Sequence, residues 1–236
     1  STRLRRPHLK HEAHVLQLLR GHPAIPHAVA YGHLEHFEYL ALELLGPSLN
    51  DAVPQQGMEV KMVARIALQL LSALEFVHSR GLVHRDIKPS NVLLTLDQPP
   101  ILRLVDFGIA RPFRTGIPAR REPTLERLNI AGTLDWASLN AHLGYDSSPR
   151  DDLESLAYTL LFLLRGGLPW QRYNSRGCTR FGAMKQIREK KMKWPGPRLG
   201  EGKPRDFGDL LDYARALAFE DKPDYERLSR GFERLA

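Results

Sequence analysis

The chain carries His84-Arg85-Asp86-Ile87-Lys88-Pro89-Ser90-Asn91 and, after two short apolar runs, Asp106-Phe107-Gly108. Asn91 stands five positions after Asp86, and Asp106 stands twenty after it. A single Asp in a loop is ordinarily a turn or ion-pair residue, whereas this spacing restricts the fold severely. The chain must leave the loop and return so that two carboxylates, an ammonium and a carboxamide meet. Such groups can accept a hydroxyl proton (Asp86), neutralise a phosphate (Lys88) and offer oxygen ligands to Mg²⁺ (Asn91, Asp106).

The flanking patterns supply the scaffold for that return. Val63, Ile66, Ala67, Leu70, Leu71, Leu74 and Val77 share one face of a long helix that runs to Arg80 and stops at Gly81, immediately before the loop. Val92–Leu94 and Ile101–Val105 flank Asp97-Gln98-Pro99-Pro100 and read as a hairpin that brings Asn91 near Asp106. Upstream, Arg6 to Arg20 predicts a helix, and Ala28–His33 with Phe37–Leu42 predicts a strand pair turning at Leu34-Glu35-His36. Downstream, Arg111 to Asn140 lacks sustained periodicity and reads as a long surface loop, Asp151 to Leu164 as a buried central helix, and Asp206 to Leu217 as another helix.

Composition narrows the class. With 236 residues, 42% of them hydrophobic, the chain can bury a sizeable core. The lone Cys178 excludes an internal disulfide and suits a reducing compartment. The longest apolar run, Leu156 to Leu164, falls far short of the roughly 20 residues that cross a bilayer, so a soluble, intracellular protein without a membrane partner is expected. The net charge of +7 is concentrated between Gln171 and Arg205, which holds eleven Lys or Arg against two Glu. A solvated basic face and an anion-binding face both fit that charge; the absence of a stacking pattern or recognition-helix motif argues against nucleic acid.

With these residues in view, the chain resembles the eukaryotic Ser/Thr protein kinases, Lys88-Pro89 marking the serine/threonine branch. Leu42 to Leu49, Ala137 to Gly144, Asp151 to Leu156 and Asp221 to Tyr225 are similar to segments of the casein kinase 1 family, and Ser138-Leu139-Asn140 stands where that family has Ser-Ile-Asn and most kinases have Ala-Pro-Glu. The resemblance implies a protein-kinase-like α+β fold. Residues 1–46 would be an incomplete small lobe with one helix, a short strand pair and a hinge, and residues 47–236 a mostly helical large lobe with the catalytic loop and activation segment. It further implies transfer of the ATP γ-phosphate to protein Ser/Thr hydroxyls, in cytoplasm, nucleus or both. Asp86 resembles the catalytic base, Lys88 the γ-phosphate contact, and Asn91 and Asp106 the Mg²⁺ ligands. Thr133 resembles the threonine bracing Asp86 and Lys88, and Asp152 the anchor of the catalytic loop. Backbone groups of Glu43 and Leu45 resemble the hinge that binds adenine, with Leu42 as gatekeeper and Leu93 beneath the purine. His84 fits a packed residue between lobes rather than a base or metal ligand, and Trp170 and Trp194 fit packing.

Departures from the pattern set further expectations. Glu12 aligns with the helix glutamate that pairs with the ATP-binding lysine, which would lie before Ser1, with the glycine-rich loop further upstream; Glu12 is therefore expected to lack a partner. As written, the chain is expected to be a weak or inactive enzyme, either a piece of a working kinase or a naturally shortened pseudokinase. The family favours acidic or pre-phosphorylated substrates. Positions basic in its pattern fall here on Leu128, Asp135 and Ala183, while Arg85 and Arg111 remain. Asp135 is expected to replace a bound anion by pairing with Arg85 or a neighbouring arginine.

Overall fold

Helix α1 (His8–Leu18) turns Val15 and Leu16 inward, and Leu19 follows them into the core. The computed structural model describes residues 8–121, 123–124, 130–171 and 179–236. The expected helix start at Arg6, together with Leu128 and Cys178, lies outside them. Strands β1 (Ala28–His33) and β2 (Glu38–Leu42) pair antiparallel with Tyr31 opposite Leu40 and His33 opposite Glu38. Their turn closes through the Leu34 N–H, which donates to the Phe37 carbonyl at 2.8 Å. Beyond it, the segment to Ser48 lies along the next sheet: the Gly46 N–H donates to Leu94 O (2.8 Å) and the Leu94 N–H to Pro47 O (3.0 Å).

A short helix α2 (Leu49–Ala52), capped reciprocally by Ser48 and Asp51, leads into α3 (Val60–Ser79). The expected stripe of α3 is buried from Val63 to Val77, and Gly81 follows its end in the left-handed region at φ 72°. Strand β3 (Leu82–Val83) then enters the candidate loop, which closes with a single 3₁₀ turn at Pro89–Asn91. The expected hairpin forms from β4 (Val92–Leu94) and β5 (Leu102–Leu104), with Leu93 opposite Arg103.

The stretch after it is more ordered than its sequence suggests. Strand β6 (Arg111–Pro112) returns to pair with β3, and α4 (Leu139–His142) closes the segment. Between them the Arg121 N–H donates to Gly144 O (2.7 Å) and the Asp146 N–H to Ala119 O (2.9 Å). Two-residue strands and isolated ladder bonds are too short to leave an alternation in the sequence.

Helix α5 (Pro149–Arg165) is buried on every side from Asp151 to Leu164, as its all-round apolar character requires. Each such leucine contributes ~1.5–3 kcal/mol by leaving water. Around it pack α3 and α8 (Arg205–Ala216), with α6 (Arg180–Met192) and α7 (Gly196–Leu199) preceding α8 and α9 (Tyr225–Glu233) lying against α3. Trp170 is fully enclosed against Tyr158, which meets its sequence expectation. Helices α6 and α9 were not legible: α6 is strongly cationic and buries little beyond Ala183, Met184, Ile187 and Lys191, and α9 buries only Tyr225 and Phe232.

Candidate active site

The loop after β3 is held by one buried carboxylate. Asp152, at the start of α5, accepts the N–H of His84 (Oδ2, 2.7 Å) and of Arg85 (Oδ1, 2.8 Å), and His78 Nε2 lies 2.9 Å from Oδ2. Burial alone would raise the Asp152 carboxyl. The hydrogen bond from His78 and the Arg85 N–H act against it, and the group is held below the usual carboxylate range. This grip matters because Arg85 has φ 75° and Asp106 φ 67°, left-handed conformations that cost a non-glycine residue ~1–3 kcal/mol each.

His84 is fully buried, and its role is visible in its partners. Nδ1 accepts the Asp86 N–H (3.2 Å), which leaves Nε2 to donate to Val105 O (3.1 Å). Burial lowers its pKa, so the ring is a neutral strut, edge-on to Phe107 at 4.6 Å.

With its backbone so fixed, Asp86 gathers its neighbours. Oδ1 accepts the Thr133 N–H at 2.9 Å; Oδ2 accepts from Lys88 Nζ at 2.5 Å and from Asn91 Nδ2 at 3.2 Å. Lys88 Nζ also donates to Thr133 Oγ1 (2.9 Å), and Asn91 Nδ2 to the Asp86 carbonyl (2.9 Å). The structure thus brings Asp86, Lys88, Asn91 and Thr133 into one hydrogen-bonded set. Asp106 approaches through the hairpin, where the Val105 N–H donates to Asn91 O at 2.9 Å.

Gly132, before Thr133, allows this closeness. It has φ +83°, and a Cβ there would lie 2.4 Å from the Arg85 carbonyl oxygen and 3.1 Å from Asp86 Oδ1. Gly132→Ala must therefore displace the loop. It is expected to lower kcat about tenfold or more while costing ~1–3 kcal/mol of stability, measured by initial rates alongside melting curves.

Asn91 commits its amide nitrogen to Asp86, which turns the amide oxygen outward as an acceptor. Glu12 of α1 faces the same region. Expected to lack a partner, it instead accepts the Phe107 N–H through Oε1 at 3.0 Å. Burial, and then the negative charge of Asp106, raise its pKa. Among the described residues no three His, Cys, Asp or Glu side chains cluster to hold a metal. An Asn oxygen with one carboxylate fits a Mg²⁺ whose remaining ligands are water and substrate phosphate.

The remaining expected residues stand apart from this set. Leu42 ends β2, Leu93 lies in β4, and Glu43 and Leu45 lie between Leu42 and the Gly46 contact. The Glu43 N–H is taken by His27 O (2.9 Å), and its carboxylate is turned to the His27 N–H (2.7 Å) and Arg103 Nε (3.0 Å). Burial acts to raise the Glu43 pKa, and these partners bring it below the usual value. A cavity of about 830 Å³ opens beside Asp86 and Thr133, toward α1 and residues 108–112, and none of Leu42, Glu43, Leu45 and Leu93 lines it. Its charged walls are Lys10, Arg85, Arg111 and Arg180 besides Asp86.

Of the two expected partners for Asp135, Arg85 and a neighbouring arginine, Arg85 is not paired with it. The charges acting on Arg85 are those of Arg111, Asp152 and Asp146, whereas Asp135 acts on Lys191. The Asp135 carbonyl accepts from Trp170 Nε1 (2.9 Å). Ala183 is buried in α6.

Lys191 itself escaped the sequence reading. It is fully buried, and Nζ donates to Leu134 O (2.9 Å) and Ala137 O (2.6 Å), clamping the segment that follows Thr133. Its ammonium also lies 4.6 Å from the Tyr158 ring centre. A lysine in a basic run gives no signal of burial, since its neighbours Lys190 and Lys193 have the same composition cue. Burial lowers its pKa from 10.5 to about 7. Between those values the unfolded chain binds the extra proton, so stability rises as pH climbs from about 7 toward 10 and is lower below. Relative to Lys191→Met, the wild type is expected to gain ~2 kcal/mol between pH 7 and pH 9 in denaturant titrations.

A family model described as protein kinase domain matches residues 2–213, a span that contains the Asp86 set, Asp106, Glu12 and Lys191. The chain belongs to the protein kinase family.

Proposed function

We propose that the protein is a protein Ser/Thr kinase of the casein kinase 1 type that transfers the γ-phosphate of ATP to acidic protein substrates with Mg²⁺. The observation that carries this reading is the mutual bonding of Asp86, Lys88, Asn91 and Thr133, two of which, Asp86 and Thr133, line a cation-walled cavity. In this reading Asp86 accepts the proton of the incoming hydroxyl. Lys88, held against it by Thr133, offsets negative charge on the transferring group. The Asn91 amide oxygen and the Asp106 carboxylate hold Mg²⁺, which would neutralise phosphate charge when bound. Leu42, Leu93 and backbone groups of Glu43 and Leu45 frame the adenine, with residues 1–46 as the small lobe and 47–236 as the large one. The Lys10, Arg85, Arg111 and Arg180 walls favour acidic residues beside the target hydroxyl.

A non-catalytic scaffold is the alternative reading. Incubation with labelled Mg·ATP and casein, beside small alcohols and sugars as acceptors, tests both. Label on casein Ser or Thr alone is expected. Nucleotide binding without transfer would select the scaffold, and label on a sugar would select a small-molecule phosphotransferase.

A further inference from the structure

The C-terminal helix reaches the candidate loop through a line of buried polar groups. Tyr225, the first residue of α9, is buried, and its hydroxyl bonds His78 Nδ1 near the end of α3. His78 is buried as well, and its Nε2 meets Asp152 Oδ2 at 2.9 Å. Asp152 in turn grips the N–H groups of His84 and Arg85.

We infer that the Tyr225 hydroxyl is a positioning residue for phosphotransfer, acting through His78 and Asp152 on the backbone that orients Asp86; this rests on the proposed kinase reading. The directions of the bonds leave little freedom. An ionised Asp152 can only accept, so His78 Nε2 must carry a hydrogen toward it. With Nε2 engaged by Asp152, the enclosed Nδ1 needs a partner of its own. Tyr225 supplies it, and keeps its proton because burial, then the charges of Asp152 and Glu75, raise its pKa. Each member thereby fixes the rotamer and tautomer of the next. Without the hydroxyl, Nδ1 is left unpaired, and the ring is free to turn away from Asp152. The carboxylate that holds Arg85 in its left-handed conformation then loses its lateral support.

Tyr225→Phe keeps the ring and removes only the donor. In the full protein it is expected to lower kcat about three- to tenfold, the rate equivalent of one ordinary buried hydrogen bond, with KM for Mg·ATP and peptide within twofold. Amide exchange at His84 and Arg85 should quicken, while the amides of α8 keep their protection. In a His78→Leu background the Tyr225→Phe effect on kcat should vanish. An unchanged kcat well below the melting temperature, or an undiminished effect in that background, overturns the inference. Should His78→Leu not fold, exchange in Tyr225→Phe alone decides, and unaltered protection at residues 84 and 85 overturns it. If the unmodified protein transfers no phosphate, the kinase reading fails, and the exchange measurement still judges the tether separately.

Discussion

Asp86→Asn is expected to lower the rate of phosphate transfer by ~10²–10⁴-fold with little change in folding stability. The two side chains have the same shape, and an Asn at this position still offers one oxygen. That oxygen can take either the Thr133 N–H or the Lys88 ammonium, whose present distances to the carboxylate are 2.9 and 2.5 Å. What disappears is the negative charge and the capacity to accept a proton as the hydroxyl attacks. Lys88 loses its partner, but its side chain is 17% exposed and retains Thr133 Oγ1, so the cost to folding should be about 1 kcal/mol. The KM for Mg·ATP should stay within a fewfold, since Asp106 and the Asn91 oxygen are untouched. Initial rates with labelled ATP and casein, at matched melting temperatures, make the comparison. A variant retaining a tenth of the wild-type rate would show that Asp86 is not the proton acceptor.

The difference between what the sequence displays and what it conceals follows from how each element is stabilised. The strip from Val63 to Val77 and the apolar block of α5 announce themselves because burial of a helix face leaves a repeating signature. The β4–β5 hairpin is equally legible through Asp97-Gln98-Pro99-Pro100. Asp86, Lys88 and Asn91 were identifiable from their close spacing in one loop before the hairpin, whereas Thr133 was marked only by the family resemblance. By contrast, Lys191, His78 and Tyr225 take their importance from partners between about fifty and 150 residues away in the chain, and no local pattern encodes such a partner. Asp135 illustrates the converse. Its charge invited a pairing with Arg85, yet its charge acts on the buried Lys191, which no local pattern places beside it. Glu12 was expected to lack a partner and instead accepts the Phe107 N–H, because a buried carboxylate bonds a donor within its reach.

Asp152→Ala is expected to cost ~3–5 kcal/mol of stability and to lower the transfer rate well beyond what the lost stability explains. Removing this carboxylate leaves the N–H groups of His84 and Arg85 and the His78 Nε2 hydrogen enclosed without an acceptor. The strained φ of 75° at Arg85 then has nothing to hold it, and Asp86 moves with the backbone. Its pH signature separates it from its neighbour. The folded pKa of Asp152 lies below the unfolded value, so its stabilisation is full above about pH 4 and is lost as pH falls through the folded pKa. Asp151 has the opposite sign. Although it accepts from Ser138 Oγ at 2.5 Å and from the Ser148 N–H at 2.8 Å, burial raises its pKa from 3.8 to about 6. The folded state therefore binds the proton first, and stability falls as pH rises from about 4 to about 6, by ~2–3 kcal/mol for a group so enclosed. Urea titrations across pH 3 to 8 should find Asp151→Asn flattening the limb between pH 4 and 6. Asp152→Ala should instead lose most at neutral pH and converge toward the wild type in acid. If the two variants shift the same limb in the same direction, the carboxylate that grips the loop has been misassigned, and the support for Asp86 must come from elsewhere in α5.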